Sequence, residues 1–279
     1  PERVKKIGDA AFLGCSGLEK IKLPEGIIEI VGNAFRGCKK LADDDGFFIL
    51  DNRLFLCASH EKNITIPDGI KEICPYAFEN LSSMETVQLP EGITEIDENV
   101  FDGCSSLKKI QLPEGVTKIG WNAFLNCSSL EEMQLPESVT EIGSYAFSGC
   151  SSLKEIRLPE SVTEIGWHAF NDCRSLKRIQ LPERVTEIGT SVFYGCSSLK
   201  EIRLPESVTK IGLCAFKDCS SLKEIQLPEG VTEISPDAFS GCSSLQQILA
   251  SEKVKKKLYG SFDVNRILEG EKFTPSLLQ

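Results

Sequence analysis

Apolar positions recur along this chain with a period far longer than a helix turn or a strand pleat. Proline stands at 67, 90, 113, 136, 159, 182, 205 and 228, always 23 residues apart, and the same step separates Pro1 from Pro24. Each proline opens a near copy of one unit, of which Pro159–Leu181, PESVTEIGWHAFNDCRSLKRIQL, is typical. Counted from its first leucine, the unit reads L-x-x-I-x-L-P-x-x-V-x-x-I-x-x-x-A-F-x-x-C-x-x. Leu153, Ile156, Leu158, Val162, Ile165, Ala169, Phe170 and Cys173 form its inward set. One unit of this size cannot cover such a set, so the copies must stack in register around a continuous core.

The local signals divide each turn of the stack into three pieces. Leu153–Leu158 carries an L-x-x-I-x-L strand pattern, and Pro159 ends it by withholding a ladder donor. Val162–Ile165 is rich in β-branched residues and predicts a second short extended piece before the bend at Gly166. Ala169-Phe170 then suits one helical or 3-10 turn that sends the ring inward. With strands ~4.8 Å apart, roughly eleven turns make a curved rod ~50 Å long with a concave and a convex face.

Two stretches depart from the rhythm. Pro24 to Pro67 is longer than one period, and Phe47–Leu56 within it predicts a hairpin turning at Asp51-Asn52. This irregular repeat, at about 41–66, is expected to stay in the stack rather than protrude as a binding element. After Leu249 the pattern ends. Residues 251–279 predict a C-terminal cap: Ser251 starts a helix through Lys257 with Val254 and Leu258 inward, and Asp263 starts another turn with Val264, Ile267 and Leu268 inward.

The motif LPxxVxxIxxxAFxxCxxLxxI at a 23-residue step resembles the BspA-like, or Treponema pallidum-type, class of leucine-rich repeats, over about residues 1–250. The resemblance implies a β-rich repeat solenoid, a right-handed leucine-rich-repeat superhelix with short helical or 3-10 turns. It also implies a bacterial-surface or protozoan-surface type of protein whose relatives are often secreted, adhesive and without enzymatic activity.

Composition and motifs narrow the chemistry. Forty-one acidic against thirty-one basic side chains give a formal charge of −10, which repels a phosphate backbone, so no nucleic-acid partner is expected. No apolar run is long enough to insert in a membrane. Nine of the twelve cysteines, at 15, 38, 104, 127, 150, 173, 196, 219 and 242, share one repeat position and read as a column of buried, reduced, space-filling thiols. The resemblance implies a secreted or cell-surface location, and reduced thiols speak for the alternative, a cytoplasmic one. His60 and His168 lack any ligand or nucleophile spacing, and Asp43-Asp44-Asp45-Gly46 lacks the rest of a calcium loop, so no cofactor or metal is expected. No phosphate-binding or nucleophile-elbow motif occurs, which makes an enzyme the least supported class.

Positions that vary between copies have been released from the core, and two sets stand out. The exposed sites of the first strand include Arg157, Arg178 and Arg203 among columns of Gln and Glu. The two residues before Ala-Phe diverge most, and both tryptophans, Trp121 and Trp167, fall there with Tyr145 and His168, while Tyr194 lies a little further on in its own unit. Exposed aromatics make good contact anchors. The expected function is a non-enzymatic binding or adhesion module that recognises a protein or carbohydrate through these side chains. An intracellular or structural protein-interaction scaffold is the alternative.

Overall fold

The structure, a computed structural model, describes residues 3–251 and 253–254. The expected stack is present. The first-strand pieces align in parallel as a front sheet, whose longest run joins Glu132–Gln134, Glu155–Arg157, Arg178–Gln180, Glu201–Arg203, Glu224–Gln226 and Gln247–Leu249. Its register is one period per step, with Glu132 beside Glu155, Met133 beside Ile156 and Gln134 beside Arg157. The second pieces form a back sheet of two-residue strands, such as Lys118–Ile119 between Glu95–Ile96 and Glu141–Ile142. Between the sheets the Ile, Leu, Val and Ala positions of the repeat are buried.

The Ala-Phe arc differs from the expected 3-10 turn. Among the described residues the one 3-10 helix is Lys39–Leu41. From Tyr76 to Cys214 the residue before Ala or Val takes a left-handed conformation, as at Tyr145 and His168, both with φ of 58°. The arc is therefore a chain of tight turns, Ala146 N bonding Gly143 O at 3.2 Å and Ser148 N bonding Tyr145 O at 3.1 Å. The remaining N–H groups point along the stack instead. Tyr145, Phe147 and Gly149 donate to Trp167, Ala169 and Asn171 of the next turn at 2.9, 2.8 and 2.8 Å. A 3-10 helix would have spent those donors within its own turn. The inward ring is as predicted: Phe78 to Phe239 form an unbroken column with successive centroids 5.2–5.6 Å apart.

The cysteine column fills space and also makes a specific bond. Each thiol from Cys104 to Cys242 donates to the carbonyl of the phenylalanine 26 residues earlier, at 3.1–3.2 Å, as Cys127 does to Phe101. All twelve cysteines are free, and Cys15, in the first turn, is the exposed exception to the buried column. Burial pushes the Cys104 thiol up to about 12, which leaves it in its donating, unreactive form.

From Asn80 to Gly241 the position just before the cysteine column alternates, whereas the first two turns carry Gly14 and Gly37 there. Asn126 and Asp172 have positive φ, and so do Gly149 and Gly195, the residues one turn after each of them. A Cβ on Gly149 would lie 2.5 Å from Asn126 Oδ1, and one on Gly195 would lie 2.7 Å from Asp172 Oδ1. Asn80 with Gly103 and Asp218 with Gly241 repeat the pair. A side chain on one turn thus occupies the space that glycine leaves on the next, and the structural period here is two turns, 46 residues.

The long interval behaves as expected. Phe47–Leu50 and Arg53–Cys57 form an antiparallel hairpin, turning at Asp51 and Asn52 with φ of 49° and 60°. That pair of positive φ values suits the right-handed twist of two flanking strands. Arg53 and Leu54 then pair in parallel with Glu72 and Ile73, so the hairpin joins the back sheet. Asp43 accepts from the N–H of Asp45 and Phe47 at 3.1 and 2.9 Å, so its acidic triplet is a turn cap. The front sheet starts at Asn63–Thr65, and the earlier front positions Leu18, Ile21 and Leu23 remain only partly buried. At the other end, Ser251 Oγ accepts from Val254 N at 3.3 Å and Val254 is buried. The remainder of the expected cap, including Leu258 and the turn from Asp263, lies outside the described residues.

Candidate functional site

Residues released from the core gather on two different surfaces. On the front sheet, Arg157, Arg178 and Arg203 line one open depression of about 480 Å³, together with Glu155, Glu183 and Glu201. Two further depressions of about 470 and 450 Å³ continue along the same face over Asn63–Pro113 and Lys109–Arg157. Arg157 reaches Glu137 at 3.3 Å and Arg178 reaches Glu155 at 3.4 Å, both pairs being well exposed. Such pairs are worth at most ~1 kcal/mol and yield readily to a competing partner. Arg203 has no ion pair among the described residues.

The second surface follows the back sheet, at the start of the Ala-Phe arc. Here the variable dipeptides separate into two columns. The outer column carries Pro75, Glu98, Trp121, Ser144, Trp167, Thr190 and Leu213. Trp121, Trp167 and Leu213 are 51, 64 and 49% exposed, which makes them three of the five large exposed apolar side chains among the described residues. Trp167 leans along the stack, since a Cβ on Gly189 would stand 3.0 Å from its Cδ1. Among the described residues neither indole N–H has a hydrogen-bond partner.

The inner column carries Tyr76, Asn99, Asn122, Tyr145, His168, Ser191 and Cys214, all with positive φ. Its members pair with their neighbours along the stack. Asn122 Nδ2 donates to Asn99 Oδ1 at 3.0 Å. Tyr145 and His168 stack face to face, 4.4 Å between centroids and 3° between planes. Partial burial holds the His168 imidazole below its ordinary pKa. Tyr145 and His168 therefore buttress the outer column more than they extend it, and the side chain that stands between the tryptophans is Ser144. Tyr194 lies away from both columns, under the Lys217 ammonium at 5.9 Å.

Of the predicted site residues, the structure brings Arg157, Arg178 and Arg203 together on one face and Trp121, Tyr145, Trp167 and His168 on another. Leu213 escaped prediction as a site residue. Its signal was a repeat of 46 residues from Trp121 to Trp167 to Leu213, hidden beneath the stronger repeat of 23. Among the described residues no three His, Cys, Asp or Glu side chains gather to hold a metal ion, and no helix is long and apolar enough to cross a membrane.

A uniform stack of 23-residue turns with a Phe column, a Cys column and a polar front sheet defines a leucine-rich-repeat protein, an architecture of protein-interaction modules. The BspA-type leucine-rich-repeat region model matches residues 1–45, 48–177 and 140–269, and the chain belongs to that family. Among solved structures it is similar to the leucine-rich-repeat protein of T. pallidum, at 33% identity and a TM-score of 0.60 over 65% of this chain and 90% of that one. A leucine-rich cell surface protein from Faecalibacterium prausnitzii is 31% identical with a TM-score of 0.56, over 93% of this chain and 72% of that one. A leucine-rich-repeat protein from Eubacterium ventriosum, 23% identical with a TM-score of 0.53 over 78% and 57% of the two chains, shares the fold. No protein in the curated set matches the chain.

Proposed function

We propose that this protein is a non-enzymatic recognition module of a secreted or cell-surface type, which binds a protein or glycan through side chains displayed on a rigid stack. The observation that carries this reading is the outer column. Regular turns that bury their Leu, Ile, Val and Phe core positions leave Trp121 and Trp167 more than half exposed on a backbone fixed by turn-to-turn hydrogen bonds. Rings held this way lose little conformational entropy on contact, which is what an anchor residue requires. The F. prausnitzii relative, described as a cell surface protein, supports the location.

A binding screen against extracellular proteins and glycans, repeated with the Trp121→Ala/Trp167→Ala double variant, tests the assignment. The wild type should retain at least one partner that the equally stable double variant loses by tenfold or more. Full retention by the double variant would move recognition to the arginine face. One observation favours a second reading, an intracellular scaffold using the same surfaces: all twelve thiols are free.

A further inference from the structure

The outer column has a period that constrains its ligand. Trp121, Trp167 and Leu213 stand on every second turn, and the turns between them carry the small polar Ser144 and Thr190. The Asn/Gly and Asp/Gly alternation before the cysteines has the same two-turn period, so it is built into the backbone packing as well as the surface. Along the Phe column, in this same arc, one turn advances 5.2–5.6 Å, so two turns advance roughly 10–11 Å, a little more than strand spacing alone would give.

This distance separates the candidate polymers. An extended peptide returns a side chain to the same face every ~6.7 Å. A polyproline II helix does so every ~9.3 Å, and it drifts out of register by more than ~2 Å across three contacts. A β-1,4-linked chain of pyranose rings behaves differently. Each ring spans about one turn of this stack, and the flip at each linkage returns the same ring face to the same side at every second sugar. Charge restricts the choice further. Glu98 stands in the column and Glu95 and Glu164 beside it, none of them in an ion pair among the described residues, whereas the neighbouring Lys118 and Lys210 are held by Glu141 and by Glu187 and Glu233, so the unpaired charge would repel uronate or sulfate groups.

We infer that the Trp121–Trp167–Leu213 stripe is a platform for a neutral, extended β-1,4-linked glycan, which stacks alternate sugars on the two indoles. The inference rests on the recognition reading above and names its ligand class. Both tryptophans of the chain lie in the stripe, so intrinsic fluorescence reports it directly.

The test titrates the full chain with cellohexaose, chitohexaose, α-linked maltohexaose and decaproline. At least one β-1,4 hexamer should give a saturable fluorescence change, at least tenfold tighter than maltohexaose and decaproline. Trp167→Ala should weaken it at least tenfold. A variant that moves the ring one turn, Trp167→Ser with Thr190→Trp, should weaken it as much although two indoles remain. A second move, Trp121→Ser with Ser144→Trp, makes the same demand should the first pair fail to fold, with circular dichroism and thermal midpoints as the folding check. Equal binding by a moved-ring variant would overturn the spacing argument. Preference for decaproline would overturn the glycan assignment and leave the recognition reading standing, and silence towards all four probes would overturn this inference alone. In the wider screen, a double tryptophan variant that keeps every partner would instead move recognition off the outer column altogether, an outcome distinct from silence towards these four probes.

Discussion

The regular turns from Asn63 to Leu249 and the N-terminal turns around the inserted hairpin use the same aromatic residue in opposite ways. In the regular region identical residues sit in register, so each Phe ring meets its neighbour nearly face to face, Phe124 and Phe147 lying 5.4 Å apart at 2°. Around the hairpin the register is broken, and Phe35 meets Phe48 and Phe55 edge-on, at 82° and 87°. The core divides at this place, with Phe35, Phe48, Phe55, Leu56 and Cys74 in one cluster and the long column in another. Translation symmetry therefore dictates the stacking geometry, whereas a filled core can be achieved without it. Two arginine side chains cross the break, one of them Arg36, which donates to Glu79 Oε2 at 2.7 Å and lies over the Tyr76 ring at 3.8 Å. Arg53 donates to Ile30 O at 2.8 Å and to Glu72 Oε2 at 2.7 Å, joining the turn before the hairpin to the turn after it.

The largest test of this contrast is Phe147→Ala, at a position with no exposure and a stacked ring on either side. Removing it should cost about 3–5 kcal/mol in chemical denaturation. Phe12→Ala, at a partly exposed ring with one stacked neighbour, should cost far less. Equal losses would show that the column has no energetic continuity.

A smaller effect is expected from Arg53→Ala, about 1–2 kcal/mol given that both partners of its ion pair are partly exposed. The loss should appear locally, because each turn contacts only its neighbours. In hydrogen exchange, amides of Phe12, Gly14 and Val31 should lose protection while those of Phe124 and Phe147 keep theirs. Uniform loss along the chain would contradict the role of Arg53 as a joint.

The smallest concerns Glu85, which joins Lys62, at the end of the irregular segment, to Lys108 in the regular stack, at 2.8 and 2.6 Å. Hydrogen bonds to Lys108 and Lys62 hold its carboxyl down at about 2, from an ordinary 4.5. A depressed carboxyl contributes stability that is fully present above the unfolded value and lost as pH falls through the folded one. The difference in denaturation midpoint between wild type and Glu85→Gln should be constant above pH 4.5 and disappear near pH 2. It should also shrink with salt, since the groups are exposed. A difference that does not fall between pH 4.5 and pH 2 would rule out ionisation as its source.

Much of this was legible in the sequence because repetition reports the core directly. A position that never varies among copies, as at Phe170 and Ile165, or varies only between apolar residues, as at Val162 and Cys173, must face its own image. The hairpin was legible from Asp51-Asn52, a pair that tolerates positive φ. What remained hidden depends on contacts between turns. The partner of Cys127 is a carbonyl 26 residues away that comes within reach only after stacking. The arc was misread as a 3-10 turn because Ala-Phe has no local signal for N–H groups that bond forward to the next turn. At the surface, variability marked both faces but could not sort them. It could not show that Tyr145 and His168 stack on each other beside the tryptophans, or that Arg157 and Arg178 already hold carboxylates.

The interlock of Asn126 over Gly149 and Asp172 over Gly195 also limits how such a rod can change length. Excising the turn that holds Gly149 would set Asn126 against Asp172, two side chains contending for one vacancy, while excising the turn that holds Asn126 would set Gly103 against Gly149, the side-chain-free contact that Gly14 and Gly37 make in the first two turns. Growth or shrinkage that keeps the interlock proceeds by pairs of turns, and each added pair brings one more copy of whatever the outer column displays, so reach and valency rise together.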